Sequence, residues 1–133
     1  MLGGVIVTHG SLGKELLETA KRIVGKIKYI ESVEIGWDDD VEEARKLIKQ
    51  CINRVNRGAG VIVFTDMFGG TPSNLAFTFL KKGRVEVITG VNLPMILKFI
   101  FSQKSTDLDE TAKKVVEEGK KSIYPASSVF KED

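Results

Sequence analysis

Short apolar runs alternate along this chain with longer segments in which apolar residues recur every three or four positions. Gly4-Val5-Ile6-Val7-Thr8 reads as a buried strand. A helix pattern follows from Leu12 to Val24, with Leu12, Leu16, Leu17, Ala20, Ile23 and Val24 on one face. Gly25 supplies a stop, because glycine takes the left-handed conformation at little cost. From Ser32 to Gly36, Val33 and Ile35 alternate with Glu34, the mark of an edge or half-covered strand. A second helix spans Val41 to Asn56, and Gly58 closes it. Gly60 to Thr65 is apolar throughout (Val61, Ile62, Val63, Phe64), as a central parallel strand covered on both faces requires. Thr71 as N-cap and Pro72 at the first helical position open a third helix reaching Lys82. Val85 to Thr89 forms the fourth strand. Gly90-Val91-Asn92 leads into a helix with Pro94 in its first turn, Ser102 to Asp107 is a loop, and Leu108 to Ser122 is the last helix.

Strand and helix in alternation specify a three-layer, doubly wound α/β fold, with four mainly parallel strands and helices on both faces. The predicted domain covers residues 1–123, with 124–133 as a C-terminal tail. Val129 and Phe130 in that tail suit a short strand, although Pro125 argues against a central one.

Composition changes this picture little. The 133 residues are 42% hydrophobic and 29% charged, the balance of a soluble globular domain. A formal net charge of +2, with basic pairs scattered on helices, gives no nucleic-acid signature. The single cysteine, Cys51, excludes an internal disulfide and falls on the apolar face of the second helix with Val41, Ala44, Leu47, Ile48 and Val55. No apolar run reaches the length of a membrane span, and the start of the chain lacks the pattern of a signal peptide, so a cytoplasmic location is expected. Asp38-Asp39-Asp40 reads as the acidic start of the second helix rather than a metal cluster. Trp37, at the end of the second strand, reads as a packing residue.

Parallel strands all end on one rim, and in open α/β sheets that rim is where ligands bind. Here it gathers His9, the chain's one histidine, with Asp66, the loop Met67 to Pro72, and Gly90-Val91-Asn92. An imidazole at such a place can act as nucleophile, base or ligand near neutral pH. A carboxylate on its far nitrogen fixes the tautomer and steadies the ring when it becomes cationic; Asp66 is the best-placed candidate. Gly69-Gly70 allows close backbone approach, and the helix opened by Thr71-Pro72 presents free N–H groups suited to an anion. The residues alone thus point to phosphate or anion chemistry at a histidine.

Three motifs go further. Thr8-His9-Gly10, Phe64-Thr65-Asp66-Met67-Phe68-Gly69-Gly70-Thr71-Pro72 and Gly90-Val91-Asn92-Leu93-Pro94-Met95 resemble, in order and spacing, the enzyme IIA component of the mannose family of the bacterial sugar phosphotransferase system. The resemblance extends over about residues 1–123. It implies a phosphocarrier that takes a phosphoryl group on His9, through Nε2, from the histidine-containing phosphocarrier protein. It would pass that group to enzyme IIB during sugar uptake, meeting the membrane only indirectly through the permease components. Asp66 matches the family's carboxylate partner of the histidine, while Gly70 and Thr71 match its phosphate-binding loop. No cofactor or metal is implied, since the phosphate moves between protein side chains. Met67, Phe68, Leu93 and Met95 flank the site and are expected to form a partner-docking surface, inward packing being the competing reading. Ser73 departs from the family's frequent Phe and should alter that apolar surface. The resemblance also implies a homodimer exchanging a C-terminal antiparallel strand, which Pro125 and the short tail put in question.

Three other functions compete. A phosphocarrier subunit of dihydroxyacetone kinase shares the early histidine, but the full glycine-loop and Gly90–Pro94 motifs favour the sugar system. A flavodoxin-like binding module would need a Ser/Thr-rich phosphate loop after the first strand, and a response-regulator receiver would need acidic residues there. Thr8-His9-Gly10-Ser11 fits neither.

Overall fold

The computed structural model describes residues 1–130. Within them the chain runs β1 (Gly3–His9), α1 (Leu12–Val24), β2 (Ile30–Ile35), α2 (Val41–Val55), β3 (Val61–Thr65), α3 (Thr71–Phe77), β4 (Val85–Ile88), α4 (Leu93–Ser102) and α5 (Leu108–Lys121). The strands form one sheet in the order β2-β1-β3-β4, with every pair of neighbours parallel. The expected edge strand, β2, lies at one edge, and the all-apolar β3 lies inside.

The sheet divides the core in two because successive side chains of a strand point to opposite faces. Ile6, Ile62 and Phe64 face α1, α4 and α5, joining Leu17, Ala20, Ile96, Phe99, Ala112 and Val115. Val5, Val7, Val61 and Val63 face α2 and α3, joining Ala44, Ile48, Ile52, Val55, Leu75 and Ala76. Phe64 and Phe99 meet edge to face with centroids 5.4 Å apart. Gly4 permits this close layer: a Cβ there would stand 2.7 Å from Phe99 Cε2. The buried Gln103 amide donates to the carbonyls of Leu2 (3.0 Å) and Lys28 (2.9 Å), tying the ends of β1, α4 and the α1–β2 loop together. Cys51 is buried, as its helix face predicts. No helix is long and apolar enough to cross a membrane among the described residues.

Several boundaries and faces differ from expectation. Helix α3 ends at Phe77 rather than Lys82, because the Thr78 hydroxyl donates to the Leu75 carbonyl and the chain tightens into three-residue turns through Leu80. Gly70, not Thr71, is the N-cap of α3, and Thr71 is its first helical residue. Leu12, Ile23, Val41 and Leu47 are exposed at the margins of the helix faces to which periodicity assigned them. Asp40 caps α2, its Oδ1 accepting from the N–H groups of Glu42 (2.8 Å) and Glu43 (3.2 Å), as the acidic helix start predicts. Tyr124 to Phe130 is exposed, contains a short turn of 3-10 helix at Ala126–Ser128, and adds no strand to the sheet of its own chain.

Candidate functional site

The neighbouring strands β1 and β3 both end on the same rim, at the point where the strand order reverses. β1 delivers His9 and β3 delivers Asp66, 57 residues later in sequence. Asp66 Oδ2 accepts two hydrogen bonds from His9: one from the backbone N–H at 3.0 Å, the other from ring Nδ1 at 2.8 Å. Burial alone would raise the Asp66 pKa, but the hydrogen bonds from the His9 ring and backbone outweigh it, and the carboxyl titrates below its ordinary value. An ionised carboxylate only accepts hydrogen bonds, so Nδ1 carries the ring proton and the lone pair is on Nε2. The imidazole side chain keeps 25% of its surface accessible, against 10% for Asp66. The ring is thus oriented by Asp66 through Nδ1, with Nε2 on its far side. Asp66 Oδ1 is buried without a hydrogen-bond partner among the described residues.

The backbone around His9 is fixed from both sides. The Thr8 hydroxyl accepts from Gly13 N–H at 2.7 Å and donates to the His9 carbonyl at 3.2 Å, joining the end of β1 to the first turn of α1. Gly10 N–H donates to Ile35 O at 2.9 Å, joining it to β2.

The glycine loop closes on the ring. Gly70 has φ +85°, a conformation open to glycine and strained for other residues. A Cβ on it would lie 3.0 Å from His9 Cε1 and 3.2 Å from Nε2. The bare backbone therefore stands directly beside Nε2, with exposed Thr71 next along the chain. Behind the loop, Ser73 is fully buried; its hydroxyl pairs with Thr65 Oγ1 at 2.8 Å and donates to the Met67 carbonyl. Ser73 thus braces the loop from inside and does not change the outer surface, contrary to the sequence reading.

The four expected docking residues separate. Met67 and Phe68 are exposed, with Phe68 leaning on Phe77 at 5.7 Å between centroids. Leu93 is half-buried against the core. Met95 is a correction: it is 4% exposed and packs in the core, because α4 turns it toward α5. A Cβ on Gly119 of α5 would stand 2.6 Å from Met95 Sδ. Trp37 is the opposite correction. It is 84% exposed rather than packed, and its ring stacks on His9 with centroids 5.3 Å apart. Sequence reasoning placed Trp37 at the end of the second strand but did not bring it to the rim beside His9, lacking the strand order that sets β2 beside β1. No cluster of metal-binding side chains occurs among the described residues.

Comparison with known proteins identifies a family for the chain. The family model described as "PTS system fructose IIA component" matches residues 3–116. The mannose-specific EIIAB component of Escherichia coli strain K12 is 32% identical over 126 residues, which cover 90% of this chain and 38% of that protein. The chain thus spans well under half the length of that relative. The fructose-specific EIIA component of Bacillus subtilis strain 168 is 27% identical over 101 residues, 75% of this chain and 69% of that one. In structure, the phosphotransferase system component EIIA of Streptococcus agalactiae superimposes with a TM-score of 0.87 at 22% identity, over 96% of this chain and 99% of that one. With the family model matching residues 3–116 and the fold shared with that component, the chain belongs to the PTS fructose IIA component family, the mannose-type enzyme IIA proteins of the sugar phosphotransferase system.

Proposed function

We propose that this protein is a phosphocarrier of sugar uptake, accepting a phosphoryl group on His9 Nε2 from the histidine-containing phosphocarrier protein and passing it to enzyme IIB. The observation that carries the reading is the Nδ1–Asp66 contact of 2.8 Å, which leaves Nε2 as the nucleophile beside the bare Gly70 backbone. Attack by Nε2 on phosphorus forms the new N–P bond as the donor's N–P bond breaks. The ring becomes cationic because Nδ1 keeps its proton, and Asp66 balances that charge. Gly70 and Thr71 are assigned to the phosphate, and exposed Met67 and Phe68 with half-buried Leu93 to partner docking. Catalysis of this kind is positioning and charge stabilisation and calls for no cofactor.

Residues 1–123 form the carrier unit in this reading. The exposed tail and the edge position of β4 favour a homodimer in which the C-terminal segment adds a strand across the partner's sheet. A dimer in sedimentation velocity that dissociates when residues 124–133 are removed is the expected result. A carrier in this system works on the cytoplasmic side.

The test is direct. Incubation with phosphoenolpyruvate and the two general phosphotransferase proteins should add one acid-labile, alkali-stable phosphate, read by intact mass. No gain, or an unchanged gain in His9→Ala, overturns the proposal.

A further inference from the structure

Three neighbours surround the His9 ring, and the function proposed above uses two of them, Asp66 and Gly70. The third is Trp37, whose ring plane is inclined 30° to the imidazole at 5.3 Å. The fold delivers this contact by design of its register. His9 pairs with Ile35 across β1 and β2, and Trp37 is two residues beyond Ile35. A turn then holds the segment: Asp39 Oδ2 accepts from Gly36 N–H at 2.7 Å, immediately before Asp40 caps α2. The indole is 84% exposed, so core packing does not account for its place. Its one aromatic partner among the described residues is the histidine.

We propose that Trp37 is a positioning residue for phosphoryl transfer at His9, its indole face stabilising the positive charge of the ring and holding the ring plane while Nε2 takes the phosphate. This inference rests on His9 being the phosphoacceptor. When Nε2 bonds to phosphorus, Nδ1 retains its proton and the imidazole becomes an imidazolium. Asp66 meets that charge at the ring edge. An aromatic face meets it through the negative region of its quadrupole, an attraction available from Trp, less so from Phe, and absent from an aliphatic chain. The same stack opposes tilting of the ring about the Nδ1–Asp66 hydrogen bond, which by itself leaves the plane free to rock.

Phosphoramidate tests this on the protein alone. It gives its phosphoryl group to Nε2 as its own P–N bond breaks and ammonia departs. Rates followed by intact mass should fall in the order wild type, Trp37→Phe, then Trp37→Leu and Trp37→Ala together. The last two should be slower than wild type by roughly two- to fivefold, the scale of an exposed cation–π contact. Trp37 is the chain's one tryptophan, so its emission reads the stack directly. That emission should differ between wild type and His9→Ala without any reagent, and should change again as His9 is phosphorylated. A Trp37→Leu or Trp37→Ala rate equal to wild type overturns the proposal and leaves the His9 reading standing, as does emission indifferent to His9→Ala. A wild-type protein that gains no phosphate on His9, from phosphoramidate or from the phosphoenolpyruvate-driven system, overturns the reading and this inference with it.

Discussion

A single oxygen, Asp66 Oδ2, holds both the backbone and the ring of His9. Replacing Asp66 by Asn removes the charge that balances the cationic ring, and the phosphorylation rate should fall on the order of a hundredfold, the scale for a lost electrostatic partner. The same contact has a pH signature. The Asp66 carboxyl is held below its ordinary 3.8, so its contribution to stability is present at neutral pH and is lost as pH falls through the folded-state titration. Denaturant midpoints of wild type should therefore drop more steeply below about pH 4 than those of Asp66→Asn. Cys51 presents the contrary case. Burial foremost, then the Glu31 carboxylate, pushes its thiol up to about 12, so almost no thiolate exists at pH 8. Ellman's reagent should react with Cys51 only after the protein is unfolded, and reaction of the native chain at the rate of a free thiol would contradict its burial.

Between β3 and α3, two adjacent glycines separate two physical demands. Gly69 has φ +93° and open space around it, whereas Gly70 has φ +85° and the His9 ring against it. Gly69→Ala should cost backbone strain of about 1–3 kcal/mol in thermal unfolding while leaving phosphate acceptance largely intact. Gly70→Ala should carry a similar strain and also displace the ring, so its phosphorylation rate should fall well below that of Gly69→Ala. The sequence makes these elements legible where burial is one-sided or complete: alternating β2, all-apolar β3 and the inward stripe of α2. It misleads where a local side chain competes with the helix, as Thr78 does in shortening α3, or where an apolar residue sits at the margin of a face, as Leu12 and Leu47 do. Met95 looks like a rim residue because it follows the Asn92 cap by three positions. The turn of the helix nevertheless carries it inward to Gly119.

At the scale of the molecule, parallel topology puts His9 and Asp66 on one rim, and that much is legible before any coordinates; their contact also needs β3 beside β1. The Trp37 contact depends on β2 lying beside β1, which strand-helix alternation alone does not decide. Stability rests on the two half-cores rather than on surface charge. Phe99 is fully buried between sheet and helices, and Phe99→Ala should cost about 3–5 kcal/mol in denaturant unfolding. The Glu31–Arg54 pair is bidentate but substantially exposed, and it sits outside the site.

The 57-residue separation of His9 and Asp66 has a consequence for how the site comes into being. Their contact requires β1 and β3 to pair, a non-local event that must first meet the entropy of closing the intervening chain. The segment that closes includes β2, so the Trp37 stack and the Asp66 contact mature with the sheet itself. A nascent or partly unfolded chain has the histidine but neither of these partners. Under the proposed function it offers a poor acceptor, and competence to draw phosphate would be a property of the finished fold.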